Sequence, residues 1–341
     1  MLISSLFACS SRSTLGAHYD ASMANASIDA VPDDSAPPTC DNLSWSAVAG
    51  SPAGVKIMGS SPTDIWLVAN TGVMRGNGST WATDVFSTPL CTSGSLITLP
   101  DAIGLWVSGP SDVLVTGLWR GAPGDATCPL LSGAIHHWDG SQWGTYQVGD
   151  NREVTTLWGS APDDVWGTML PNSGYLGRWD GSTWSHVDSG HHGVIGGSAR
   201  ADFWIASTGL EHHAPSGFDR ADALDTVGID WTNCYLDGCT HAVWASSTDD
   251  VWVAADAGHL LHFDGSNWSN LATPTTATLR GLSGSSQTDV WAVGDSGTIL
   301  HYDGSHWTSV RSPTTNSLLG VWASGPCDVW AIGDAVYHAS P

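Results

Sequence analysis

Lysine is almost missing: Lys56 is the only one in 341 residues. Lysine and arginine together number 10 against 33 aspartates and glutamates, a formal net charge of −23. A surface that acidic repels phosphate backbones and anionic lipid headgroups, which excludes nucleic acid as a partner. Charged residues of both signs make up only 13% of the chain, while Ser, Thr and Gly are abundant, a balance that suits an exported protein. No apolar run approaches the roughly 18–20 residues that a membrane-spanning helix needs. Absent as well are a Gly-x-Ser-x-Gly elbow, a His-Glu-x-x-His zinc pattern, a phosphate-binding glycine loop and an Asp-x-Asp-x-Asp-Gly calcium loop. No cofactor and no resident metal are therefore expected.

What the chain does hold is repetition. Asp-apolar-Trp recurs as Asp64-Ile65-Trp66, Asp164-Val165-Trp166, Asp202-Phe203-Trp204, Asp250-Val251-Trp252, Asp289-Val290-Trp291 and Asp328-Val329-Trp330, with Asp112-Val113-Leu114 filling the one large gap. Each unit reads as a short apolar strand, a Gly-Ser-rich turn, the Asp-Val-Trp strand, a loop, a third strand and an Asp-Gly turn before a fourth strand that starts at Trp. Asp-Gly between apolar runs signals a tight primed hairpin, because Gly tolerates the positive φ such a turn requires. It occurs at Asp139-Gly140, Asp180-Gly181, Asp264-Gly265 and Asp303-Gly304, with Asn77-Gly78 in the first unit.

Four antiparallel strands about every 40–45 residues predict β-propeller blades, and seven anchors predict seven of them. The fold class is all-β: a seven-bladed propeller over 40–341, preceded by a flexible tether over 1–39 that is rich in Ser, Ala, Asp and Pro. The last unit stops after its third strand. Asp41-Asn42-Leu43-Ser44-Trp45 mimics Asp303-Gly304-Ser305-His306-Trp307, so the N-terminal strand is expected to complete the last blade.

The phrases GSAPDDVW, VGDSGTILHYDGSHW and HFDGSNW resemble tandem repeats of large secreted proteins and lipoproteins of myxobacterial type. Those repeats are themselves distantly similar to bacterial neuraminidase (Asp-box) repeats. In the Asp-box the Asp and Gly are separated; here they are adjacent. The resemblance implies a propeller and an exported protein, and implies no particular activity. Near the N-terminus, Leu6-Phe7-Ala8-Cys9 resembles a lipobox, which makes Cys9 the expected lipidation site and a lipid anchor the only expected membrane contact.

Setting Cys9 aside, six cysteines remain, which suits an oxidising compartment. In a four-stranded blade the second-to-third loop and the inter-blade loop share one face, and the other two turns share the opposite face. That sidedness pairs Cys91 with Cys128 and Cys40 with Cys327, while Cys234 and Cys239 flank a short local loop.

Most residues that invite a chemical reading recur in the repeat. Trp158, Trp244 and Trp322 (first strands), Trp166, Trp252 and Trp291 (second) and Trp184, Trp268 and Trp307 (fourth) read as core, as do His137, His213, His262 and His301, which occupy one repeat position, two before the hairpin Asp in most copies. The arginines show no shared position, so a sialidase-like grip on a carboxylate is not expected. Length variation around 87–104, 118–132, 168–174 and 233–240 falls on the face of the inter-blade loops, which marks that face for binding. Candidate contacts there are Trp119, in a loop unique to the second blade, with Tyr175, His191, His192 and Tyr235. The expected function is non-enzymatic binding of a protein or glycan by a monomer at the cell envelope or outside the cell. The rivals are a glycoside hydrolase or lyase at the central channel, and a spacer without ligand.

Overall fold

The computed structural model describes residues 40, 43–69, 72–83, 95–96, 104–120, 132–150, 153–170, 174–207, 209–214, 217–221 and 240–340. These residues form seven antiparallel sheets arranged in a ring, a seven-bladed β-propeller. Blade 3 runs Glu153–Ala161, Asp164–Leu170, Tyr175–Trp179 and Trp184–Ser189, its strands neighbours in that order. Blades 1 (Gly54–Ser61 to Trp81–Thr83), 4 (Val194–Ala199 to Gly217–Ala221), 5 (Thr240–Ser247 to Trp268–Leu271) and 6 (Leu279–Ser286 to Trp307–Ser309) repeat it. Blade 2 (Leu105–Gly109 to Trp143–Asp150) carries an added short strand, Ser95–Leu96, against its second strand Asp112–Arg120. No α-helix occurs among the described residues, and so no helix long and apolar enough to cross a membrane.

Blade 7 is assembled from both ends of the described chain. Gly320–Gly325, Asp328–Ile332 and Val336–Ser340 supply three strands, and Ser44–Ala47 pairs with the third, with Trp45 opposite Ala339. A disulfide between Cys40 and Cys327 fastens that closing strand to the first turn of the blade, as the sidedness of the loops requires. Ser44–Ala47 thus covers the edge that Val336–Ser340 would otherwise leave open and completes blade 7 as a four-stranded sheet.

The second strands are buried along their whole length in blades 1, 5 and 6, since a blade is covered on both faces by its neighbours. Fourth strands lie outermost, and those of blades 3 and 5 are mostly exposed apart from the tryptophan that starts them. That tryptophan sets its edge against the second-strand tryptophan of the preceding blade: Trp143 on Trp66, Trp268 on Trp204, Trp307 on Trp252, with ring centroids 5.2–5.7 Å apart. Trp45 does the same to Trp291 at 6.0 Å, so the closing strand packs as any other fourth strand does. Each such ring contributes about 2–3 kcal/mol by burial. First-strand tryptophans make the inner joint: the indole N–H of Trp106 donates to the Gly159 carbonyl and that of Trp158 to Gly197, both at 2.9 Å. Gly159 is obligatory there, for a Cβ would meet the Trp106 ring at 2.8 Å.

The Asp-Gly corners differ from the expected two-residue turn. Tyr302 pairs with Trp307 and Phe263 with Trp268, leaving four-residue loops. In each, the Asp accepts the backbone N–H of the second and third residues after it: Asp303 Oδ1 is 2.8 Å from both Ser305 N and His306 N. Gly304 then takes φ +91°. The side chain reinforces a closure the backbone also makes, from the Asp303 N–H to the His306 carbonyl (3.4 Å). These bonds hold Asp139 and Asp303 at about 2, below the ordinary 3.8, with Ser141 and Ser305 the leading cause in each.

Candidate functional site

The anchor aspartate of every blade sits in a polar knot that resembles catalytic machinery. In blade 6, Asp289 accepts from Ser285 Oγ (2.5 Å), His301 Nε2 (2.8 Å) and Trp291 Nε1 (2.9 Å). The His301 ring stacks on Trp291 at 4.2 Å, since the two residues face each other across the second and third strands. Ser246 and His262 bond Asp250 in the same way, with the His262 ring stacked on Trp252, and Asp112–His137 and Asp328–His338 repeat the pair. In a hydrolytic triad the histidine stands between serine and aspartate and serves the serine as base. Here the aspartate is central and both other groups spend their bonds on it. The serine has no base, and the knot is scaffold.

Two corrections to the repeat alignment follow. In blade 4 the partner of Asp202 is His212, which stacks on Trp204 at 4.2 Å, whereas His213 meets the Ala201 carbonyl instead. The arginines do share a repeat position: Arg75 and Arg178 replace the histidine in blades 1 and 3, reaching Asp64 at 2.6 Å and Asp164 at 2.9 Å while lying over Trp66 and Trp166. Guanidinium and imidazole are interchangeable there because both are flat donors that cover an indole face. Desolvation raises the pKa of Asp250 and Asp289, but the bonds from His262 and His301 and from the serines outweigh it, and both carboxyls stay below 3.8.

With the histidines and tryptophans of the repeat consumed in this way, the groups outside it gather on one face. Second-to-third loops and inter-blade segments meet there as expected: Thr278 Oγ1 donates to Asp256 (2.9 Å), Ser317 Oγ to Asp295 (2.8 Å), and Gly190 N–H to the Gly174 carbonyl (3.0 Å). Three of the five candidate contacts lie together on it, where blades 3 and 4 meet. Tyr175 opens the third strand of blade 3, and the Gly174 before it abuts the backbone of His191 and the Cβ of His192. His191 binds Glu211 through Nδ1 (2.7 Å) and reaches Asp188 through Nε2 (3.5 Å). The Glu211 bond outweighs desolvation, so the His191 pKa is raised above 6.5. Trp119 stands elsewhere than expected: it is no loop residue but part of Asp112–Arg120, paired with Leu96 on one side and Ser132 on the other. Tyr235, Cys9, Cys91, Cys128, Cys234 and Cys239 lie outside the described residues.

On the same face two bases of the innermost strands are tied to loop aspartates. Arg280 makes two bonds to Asp295 (2.5 and 2.8 Å), and His241 meets Asp256 at 2.8 Å. Asp256 and Asp295 stand six residues after their anchor aspartates, so a sequence reading could have found them by aligning the loops as well as the strands. Both bases line the central channel, a cavity of about 160 Å³ to which the first strands of all seven blades contribute. Its wall includes Lys56, Thr156, Leu157, Val194, Gly281 and Gly320. The one described first-strand carboxylate is Glu153, at the start of blade 3. Cys40, Asp289 and His301 come close enough together to suggest a metal cluster, but Cys40 is committed to its disulfide.

The chain is similar to known β-propellers. YCF48 bound to D1 peptide superposes with a TM-score of 0.62 at 13% identity, over 90% of this chain and 100% of that one. The extracellular domain of the one-component system BT4673 from B. thetaiotaomicron gives 0.60 at 12% identity, covering 88% of this chain and 40% of that one. The WD40 repeats of RRP9 give 0.61 at 10% identity, over 88% and 99%. Identities this low carry the fold and nothing more. No protein-family model matches the chain, and no curated protein does.

Proposed function

We propose that this propeller is an exported binding module that captures a partner, a protein or a glycan, on the face carrying the inter-blade and second-to-third loops. The observation that carries the reading is the division of polar groups. Repeated Ser, Asp, His and Trp side chains are consumed inside the blades, while non-repeating ones (Tyr175, His191, His192, Glu211, His241, Arg280) collect on one face. Neighbours of the same fold support a protein partner, since YCF48 was solved with a peptide bound and WD40 repeats share the architecture. Extracellular propellers of B. thetaiotaomicron sensors, the Cys40–Cys327 bond and the resemblance of the repeats to those of secreted lipoproteins support export, with Cys9 as the lipid anchor. The remaining bridges, Cys91–Cys128 and Cys234–Cys239, belong to the same reading.

The test presents the full-length protein to a glycan array and to surface-labelled proteins of the producing cell. Capture that disappears when Trp119, Tyr175, His191, His192 and Tyr235 are all replaced by alanine, with the melting temperature retained, supports the face. Capture that survives all five replacements removes it. Palmitate that fails to enter the protein in its host removes the anchor at Cys9.

A further inference from the structure

Lys56 lies on the first strand of blade 1 and lines the channel. The other two bases there are already answered, Arg280 by Asp295 and His241 by Asp256. Among the described residues neither a carboxylate nor any other partner bonds the Lys56 side chain. Gly104, Leu157, Val194, Gly281 and Gly320 share the wall with the polar Thr156 and the two paired bases. A half-buried ammonium among such groups has lost part of its hydration, which a counter-ion restores.

We propose that the central channel is a binding site for a small monocarboxylate with an apolar body, held by an ion pair with Lys56. The charge count matches one negative charge, because the other two bases of the wall, Arg280 and His241, already have Asp295 and Asp256 as partners. The same lysine repels metal cations. The apolar part of the wall (Leu157, Val194) suits a short aliphatic body, and a cavity of about 160 Å³ takes an acid of a few carbons, since an apolar cavity of about 150 Å³ admits benzene. Two sources share this chemistry, a free organic acid and the terminal carboxylate of a polypeptide. Burial lowers the Lys56 pKa from its ordinary 10.5, in keeping with an ammonium that lacks its counter-charge. The assignment is independent of the partner face, because its readout is the amine of Lys56 itself.

Since the chain has no other lysine, amine chemistry reads this residue without interference. Full-length protein is pulsed with acetic anhydride, and acetylation of the peptide containing Lys56 is quantified by mass spectrometry. Sodium butyrate at ten times its Kd is expected to slow acetylation about tenfold by mass action. Butyramide, of the same shape and no charge, is expected to leave the rate unchanged. A short apolar peptide with a free C-terminus, set against its amide, separates the sources. Protection by butyrate alone assigns a free acid, and protection by the peptide acid but not the amide assigns a chain terminus. Lys56→Met keeps the aliphatic stem and removes the charge. It is expected to melt no lower than the parent and to lose the saturation-transfer signal of butyrate. Acetylation at equal rates with and without saturating butyrate and peptide acid overturns the proposal. So does equal slowing by butyramide, or a butyrate signal that persists in Lys56→Met.

Discussion

Removing the Cys40–Cys327 bond tests the closure of the ring most directly. The two cysteines are 287 residues apart, so the crosslink closes a loop of nearly the whole chain and removes that closure entropy from the unfolded state. The loop-entropy relation for that separation gives about 19 cal/mol/K, or about 5–6 kcal/mol at 25 °C, as an upper limit. Released cysteine pairs commonly cost less, about 2–4 kcal/mol. Here Ser44–Ala47 keeps its ladder to Val336–Ser340 and Trp45 keeps its place on Trp291 without the bond. A loss of about 3 kcal/mol at about 2–4 °C per kcal/mol predicts a fall in melting temperature of about 6–12 °C. The double variant Cys40→Ala, Cys327→Ala is preferable to serine, because Cys40 Sγ is 3.7 Å from Asp289 Oδ1 and a hydroxyl there could offer the carboxylate a new donor. Thermal melts by circular dichroism, with non-reducing peptide mapping of the parent to confirm the pairing, provide the readout. A variant melting within about 2 °C of the parent, less than about 1 kcal/mol by the same conversion, refutes the idea that the bond fastens the ring.

Three further outcomes are expected. Asp289→Ala strands the Ser285, Trp291 and His301 donors at once; urea denaturation should show a loss of about 3 kcal/mol or more, and a loss below about 1 kcal/mol contradicts the knot's structural role. Because the folded pKa values of Asp250 and Asp289 lie below 3.8, the stability these two contribute is complete above pH 3.8 and drains away as pH falls through their folded values; replacing both by asparagine should flatten that acid limb of a stability–pH curve, and an unchanged limb counts against it. Lys56 has the opposite effect on folding: the unfolded chain binds its proton more tightly between the lowered folded value and 10.5, so the penalty is full below that window and fades as pH rises through it. Lys56→Met should therefore raise the melting temperature at pH 7 and lose its advantage near pH 10.5, and a lower melting temperature at pH 7 argues against desolvation.

Much of the ring is legible in the sequence because a blade is built from local pairings that repeat. Asp-apolar-Trp marks each second strand, and the likeness of Leu43–Trp45 to the Trp307 region marks the closing one, since both tryptophans pack against the same kind of neighbour. The Cys40–Cys327 pairing follows from loop sidedness for the same reason. Legibility fails where the repeat decays. Blade 4 lacks the Asp-Gly-Ser-x-Trp corner that fixes register, and without it His213 passes for the residue that His212 is. Arg75 and Arg178 escape a search by residue type, although what the position demands is a flat donor over an indole. Trp119 reads as a loop residue because its strand outruns the Asp-Val-Leu anchor by six residues and is held there by Ser95–Leu96, a pairing no pattern announces. The ion pairs at the channel join first strands to loops, across sequence distances that periodicity does not register.

A blade shared between distant parts of one chain also has a history in time. Residues 44–47 leave the ribosome long before the strand that will receive them, and Cys40 precedes its partner by 287 residues. At about 5–20 residues per second that interval is about 15–60 seconds. Six blades can pair internally as they emerge, each from neighbouring sequence, while Ser44–Ala47 waits for Val336–Ser340. For that interval Cys40 stays without its mate, while the cysteines between the two are made before Cys327.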